Sequence, residues 1–328
     1  MIFAHPLDYA KPKLSDYNFF KQPISKQIPL ENVFPYRIPT PLFSDYAYKN
    51  RFIVLPGKQK ANYINDNKFD FPLGTTLIKT FYYPVDFRKS NLKQNVIETR
   101  LLVYTPEGWT GYPYIWNDEQ TDAFLEITGG RKEVSWIDES GNSRSVNYQI
   151  PNYNMCKDCH VLDNVFQPIG PKPRILNSLN TYNNITQNQL EKMIACDMLE
   201  DMPSIDSITT TAEWNNEKFT LNDRARAYLD MNCAHCHNTQ GPANTSGLFL
   251  DYHEQDKKKI GVLKSPIAAG RGSGGRLFNI VPGKPNESIF IFRMESTDPG
   301  ILMPESGRKL VHKEGVELIR SWISSMDN

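Results

Sequence analysis

Met231-Asn-Cys-Ala-His-Cys-His237 sets Cys233, Cys236 and His237 in a C-x-x-C-H array, and Cys156-Lys-Asp-Cys-His160 repeats it upstream. With five Cys and six His in 328 residues, chance would give one such array in about a thousand chains of this composition, so two copies are a pattern. The spacing suits one chemistry. Two thiols three positions apart add to the vinyl groups of a haem, and the histidine that follows falls beneath the iron as proximal ligand. Two covalently attached haems c are therefore expected, one on Cys156, Cys159 and His160 and one on Cys233, Cys236 and His237. A zinc ribbon would close its site with four cysteines and has no use for a histidine after each pair. A thioredoxin-type C-x-x-C would open a helix after a strand in a βαβ unit, and neither copy has that setting.

The flanks of the second motif read as helices. Leu221 to Asn232 places Ala225, Tyr228 and Leu229 on one side and runs straight into Cys233. Residues 315–326 set Val316, Ile319, Trp322, Ile323 and Met326 on one helical face. Between them, 285–294 reads as a short helix opened by Pro285. Ile301-Leu-Met-Pro-Glu-Ser-Gly307 then holds a methionine in a proline-braced loop. An electron-transfer iron takes two strong axial ligands, and His/Met ligation raises its potential. His237 and Met303 are the expected pair, with Met294 second in line. Gly270-Arg-Gly-Ser-Gly-Gly275 matches G-x-G-x-x-G formally, but no strand precedes it and no helix opens on it, so a dinucleotide site is excluded. It reads as a loop near the haem edge, with Arg271 and Arg276 either pairing a propionate or solvated.

Working back toward the start, the expected class is α+β. Residues 1–40 read as a proline-rich arm over the next domain, since proline removes donors and holds its neighbours extended, with a disordered leader as the alternative. Residues 41–165 form a β-rich domain ending in the first motif, with strands at 52–55, 76–83, 98–104 and 112–116 and a hairpin of 134–137 with 145–148. The first haem should lie against this sheet, with Trp109, Trp116 and Trp136 as either its walls or plain core. Residues 166–216 form a helical connector containing a helix near 187–194. Met198 and Met202 there are either thioether ligands or gap-filling core, and Cys196 is expected as a small buried side chain. Residues 217–328 form the helical haem domain. His5, His253 and His312 are expected at the surface.

Positive and negative side chains number 37 each, so no net field favours nucleic acid or an anionic membrane. No apolar run reaches about 18 residues, so no membrane span is encoded. Residues 1–6 lack the basic and apolar regions of a signal peptide. Haem c is nevertheless attached outside the bacterial cytoplasm, so a periplasmic or otherwise exported protein is expected, its leader removed or replaced by a lipid anchor.

Tyr228–Asn238, Gly270–Gly275, Met294–Gly300 and Met303-Pro-Glu305, with Pro41–Tyr46, Phe71–Gly74, Tyr114–Asp122 and Cys156–His160 upstream, resemble a bacterial family of exported di-haem c-type cytochromes over nearly the whole chain. The C-terminal module is similar to class I cytochromes c. The first domain, through Phe71–Lys79, Glu107-Gly-Trp109 and Cys156–His160, resembles the β-sheet cytochromes c-prime and their hydroxylamine-oxidising relatives. The first resemblance implies two haems and redox function; electron transfer through the second haem to a redox partner protein is the expected role. The second implies an open, five-coordinate first iron that takes a small ligand such as nitric oxide, peroxide or hydroxylamine, with the second haem as electron port. Some of those relatives cross-link a lysine to the porphyrin, for which Lys79 is the candidate. A non-redox module built on a structural metal is the third class.

Overall fold

Stretches rich in β-branched and aromatic side chains form the longer strands, and shorter ones join them. They are β1 (Phe34–Pro35), β2 (Tyr48–Val54), β3 (Ala61–Asn65), β4 (Lys68–Asp70), β5 (Thr76–Pro84), β6 (Gln94–Thr105), β7 (Gly108–Trp116), β8 (Ala123–Leu125), β9 (Gly130–Ile137) and β10 (Ser143–Ile150). The computed structural model describes residues 9–89 and 93–327, which combine helices with antiparallel sheets in an α+β arrangement. The residues divide into two compact units. The first comprises Met1–Ile38, Ala47–Lys157 and Phe166–Thr210, and the second Pro39–Tyr46, Asp158–Val165 and Thr211–Asn328.

In the first unit a six-stranded sheet runs in the order β1-β2-β5-β6-β7-β8 with every pair antiparallel. Adjacent residues of one strand point to opposite faces, so Ile78 and Leu77 of β5 enter different cores. Ile78 packs with Phe52, Leu101, Tyr112, Tyr114 and Trp116, and this core is completed by Leu14, Phe19, Phe20, Ile24 and Val33. The described part of the proline-rich arm thus covers one sheet face; residues 1–8, with His5, lie outside the described residues. Leu77 packs with Phe69, Phe71, Leu176, Leu190, Met193 and Leu199 on the other face. Burial on both faces is why β5 carries apolar and aromatic side chains on adjacent positions, as at Leu77-Ile78 and Phe81-Tyr82-Tyr83.

Much of the stretch expected as a helical connector belongs to this second core. It contains α2 (Pro173–Leu176), a hairpin of Leu179–Tyr182 with Ile185–Asn188, α3 (Gln189–Ala195), and Leu199–Glu200, which pairs in parallel with β3. Met198 and Met202 pack against that core. Trp116 and Trp136 are buried core residues, and Trp109 stacks on Tyr104. Cys196 is exposed, not buried: it caps the end of α3, where the chain turns out to solvent. No helix among the described residues is long and apolar enough to cross a membrane.

The second unit is built on α4 (Leu221–Asn232), α5 (Lys257–Ile260), α6 (Ile289–Glu295) and α7 (Lys313–Ser324). Thr220 caps α4, its Oγ1 accepting from the Asp223 N–H at 3.1 Å. Ala225, Tyr228 and Leu229 of α4 meet Leu318, Ile319, Trp322 and Ile323 of α7 in one core with Ile291 of α6. Gly315 marks the crossing: a Cβ there would run into the Tyr228 hydroxyl, so α7 can pass α4 at this height only on a glycine.

Candidate functional site

The end of α4 generates the site. Cys233 N–H still reaches the Leu229 carbonyl at 2.8 Å, and the chain then closes two turns, with the N–H groups of Cys236 and His237 donating to Cys233 O at 3.1 and 2.9 Å. Both cysteines and the histidine of the second motif are thereby held on one short coil. Gly241 lets the following loop fold back onto the Cys236 carbonyl, where a Cβ would collide. That loop delivers Ser246 to the His237 ring, with Nδ1 to Oγ at 3.1 Å. The Ser246 hydroxyl gives its proton to Ala243 O at 2.6 Å, so toward His237 it accepts. His237 therefore carries its proton on Nδ1 and presents an unprotonated Nε2, the tautomer of a metal-ligating imidazole. Burial, then His235 and Arg293, push the His237 pKa down to about 4, which keeps the ring neutral. Burial, reinforced by Asp230, pushes the Cys233 thiol up to about 12.

A cavity of about 600 Å³ opens beside this coil, lined among others by Cys233, Cys236, His237, Met294 and Met303. Its size falls in the range of about 300–1,000 Å³ usual for cofactor sites. Met303 sits in the loop between α6 and α7, fixed by its N–H to the Arg293 carbonyl at 3.1 Å. Arg308 is buried and gathers the same loop: its guanidinium donates to Met303 O at 2.8 Å, Ser296 O at 3.0 Å and Leu310 O at 3.1 Å. Asp45 accepts from the N–H groups of Lys309 and Leu310, both at 2.7 Å. Phe43 stacks on His312 with ring centroids 4.4 Å apart, and the Tyr228 hydroxyl meets His312 Nδ1 at 3.0 Å. His312 thus lines the cavity inside an aromatic cage, where the sequence suggested a surface position.

Arg271 and Arg276 stand apart from the cavity lining. Arg271 pairs with Asp298 at 2.8 Å, and Arg276 lies 4.3 Å from the Phe292 ring centroid with its Nε on Asn286 O. The cations that do line the cavity are Arg293 and Arg308. Neither sits in a motif, and no local pattern announces them.

The first motif lies across the division between the units, with Cys156 in the first and Cys159 and His160 in the second. In the first unit, α1 (Tyr153–Lys157) is capped by Asn152, whose Oδ1 accepts from Met155 N–H at 2.9 Å. Cys156 there lies beside Gly111 of β7. Arg100 is bound to Glu98 through two hydrogen bonds, at 2.9 and 2.5 Å, and Glu98, with none of its surface exposed, also accepts from the Tyr148 hydroxyl at 2.7 Å. Lys79 stands 4.8 Å from the Phe81 ring centroid, with Arg100 at 4.3 Å from the same ring.

In the second unit, the ligating atoms of Cys159, His235 and Cys236 all fall within 4.8 Å of one another. The Cys236 thiol sits against Cys159, and this contact holds the Cys159 thiol well below the ordinary value and raises Cys236. His235 Nδ1 is buried there without a hydrogen-bond partner. Neither the convergence of the two motifs nor the orphaned nitrogen could be read from spacing along the chain. No family, curated protein or solved structure matches this chain.

Proposed function

We propose that the chain is an exported di-haem c-type cytochrome that transfers electrons between redox partner proteins. The observation that carries this reading is the cavity at the end of α4, which collects both thiols of a C-x-x-C-H motif, an imidazole with its Nε2 lone pair free, and two methionines. These residues fit a covalently held haem. Cys233 and Cys236 would anchor it, His237 would supply one axial nitrogen and Met303 one axial sulfur, with Met294 as the alternative. Bound there, the group supplies one-electron chemistry at a potential raised by thioether ligation. The chain's own contribution is to fix the tautomer through Ser246, hold the methionine loop through Arg308, and wall off water with Phe43, Tyr228 and Leu250. The first motif would hold a second haem on Cys156, Cys159 and His160. The finer architecture in this reading is a β-rich haem domain followed by a class I-like cytochrome c domain.

The test is the reduced optical spectrum, with and without carbon monoxide, of full-length protein matured by a haem-attachment system. Two haems per chain are expected, with the second low-spin. Met303→Ala should turn that haem high-spin and lower its potential; an unchanged spectrum moves the ligand role to Met294. A carbon monoxide shift on about half the haem would give the first iron an open face and make small-ligand chemistry its role.

One observation favours a second reading. Cys159, His235 and Cys236 make a three-ligand set with an unpartnered buried nitrogen, and thiolate with imidazole suits zinc or cuprous ion. Stoichiometric zinc or copper in exported protein that lacks a Soret band would replace the cytochrome reading.

A further inference from the structure

We infer that the two C-x-x-C-H motifs meet at a sulfur-to-sulfur junction, Cys159 against Cys236, so that the haems they carry form one coupled pair. The inference rests on the di-haem reading above and gives it an arrangement that reading does not contain. Motifs 77 positions apart from Cys159 to Cys236 have no need to touch; two carriers on separate surfaces would satisfy the sequence equally well.

The junction is built at several points within the second unit. Cys159, His235 and Cys236 present their ligating atoms within 4.8 Å of one another. The Cys236 S–H donates to the Asp158 carbonyl at 3.7 Å, and Cys159 Sγ lies 3.8 Å from Ser306 Oγ. Farther along, the Asp163 N–H donates to Gln240 O at 3.1 Å, and the Gln240 amide returns a bond to the Asp163 carboxylate. The segment after the first motif is thereby laid along the turn that carries the second. Asp158 and Cys159 also line the cavity that holds Cys233, Cys236, His237 and Met303. One wall of the second haem's site is thus an attachment thiol of the first.

Attachment chemistry then fixes which parts come together. A thioether would tie a vinyl-bearing edge of each macrocycle to its sulfur, so with haems attached at Cys159 and Cys236 two conjugated edges would be drawn toward each other. Beside Ser306 Oγ and the Asp158 carbonyl, the junction holds the His235 ring, half-buried and with Nδ1 unpartnered. Across so short a gap between partly buried groups, a charge added on one side is felt on the other. Once one iron has been reduced, its neighbour should take up an electron less readily.

Two experiments test this on the full chain. The first is low-temperature electron paramagnetic resonance of the matured protein, fully oxidised and half-reduced, with a potentiometric titration alongside. Signals broadened by mutual interaction in the oxidised state should sharpen when one iron becomes diamagnetic, and reduction of one site should weaken electron uptake at the other about tenfold, or ~59 mV. Two haems with additive, independent signals and no mutual shift in potential would overturn the inference. A single haem per chain would overturn both it and the di-haem reading.

The second experiment needs no haem. In haem-free Cys156→Ser/Cys196→Ser/Cys233→Ser protein, diamide should join Cys159 to Cys236. The two thiols give up two protons and two electrons as the S–S bond forms, and the N=N bond of diamide becomes a hydrazine. A linked peptide pair lighter by two hydrogens is expected in the mass spectrum. Thiols that stay unpaired would refute the junction, whatever the haem content of the matured protein.

Discussion

Replacing Arg308 by methionine should release the loop that carries Met303 while leaving α4 and α7 in place. The Arg308 guanidinium offers five N–H donors. Nε reaches Met303 O at 3.2 Å and Nη1 reaches Leu310 O at 3.1 Å. Nη2 faces four carbonyls, those of Met303, Ser296, Met294 and Arg293 at 2.8, 3.0, 3.2 and 3.3 Å. With two protons to give, it serves Met303 and Ser296 best. Some four charge-assisted bonds at about 1–1.5 kcal/mol net apiece are lost, and the desolvation of a buried cation is recovered, so the loop should lose about 3–5 kcal/mol. Methionine conserves much of the stem, which isolates the hydrogen bonds from packing. Hydrogen exchange of peptides spanning 293–310 reads the change directly. Where exchange follows the opening equilibrium, roughly 10²- to 10⁴-fold faster labelling is expected in that segment, with α4 unchanged. In matured protein the same variant should lose the low-spin spectrum of the second haem. Labelling accelerated by less than tenfold, with the spectrum intact, would show that the loop is held by its own backbone and that Arg308 is incidental.

Three further outcomes follow from the same geometry. Ser246→Ala removes the acceptor that fixes the His237 tautomer; with a less basic imidazole the second site should bind metal roughly 10-fold or more weakly and its potential should rise, the fold being retained, checked by redox titration beside circular dichroism. Glu98→Ala strips Arg100 and Tyr148 of a shared buried acceptor and should cost about 3 kcal/mol, read as a lower urea midpoint; Glu98→Gln should recover part of it. For pH, His237 falls from 6.5 in the unfolded chain to about 4 in the fold, so the folded state binds its proton less readily. Its contribution is complete above pH 6.5 and drains away as the pH drops toward 4, by about 3 kcal/mol in total. Urea midpoints of haem-free wild type and His237→Gln between pH 7.5 and 4 should converge toward the acid end; parallel curves would refute the assignment.

What the sequence made legible was local. Richness in β-branched and aromatic residues marked β5 and β6, the 3.6-residue period marked α7, and an amphipathic run placed α4 at Leu221–Asn232. The second motif, with Met303, came together around one cavity because all of its parts flank helices of a single unit. What stayed hidden was carried by distant pairings. The His312 cage needs Phe43, Trp214 and Tyr228, which share no periodicity. Arg308 binds carbonyl groups, and a carbonyl acceptor leaves no trace in residue identity. A glycine-rich loop pointed instead to Arg271 and Arg276, whose partners are the local Asp298 and Phe292. The connector misled for a related reason: Leu176, Leu190 and Leu199 are spaced for a shared core and not for a single helix.

The second unit is also discontinuous in sequence, and this governs when it can exist. Leu42 and Phe43, which wall the cavity, and Asp45, which ties down Lys309 and Leu310, come from Pro39–Tyr46. On a growing or translocating chain these residues emerge long before α7, so the early-made piece must wait, unpaired, for the last-made one. A fragment cut at Glu217 would lack that piece however well its helices formed. Transplanting this unit onto another scaffold therefore means carrying three separate lengths of chain, with Thr40 reaching Ala212 and Asn232 reaching Phe43 to stitch them together.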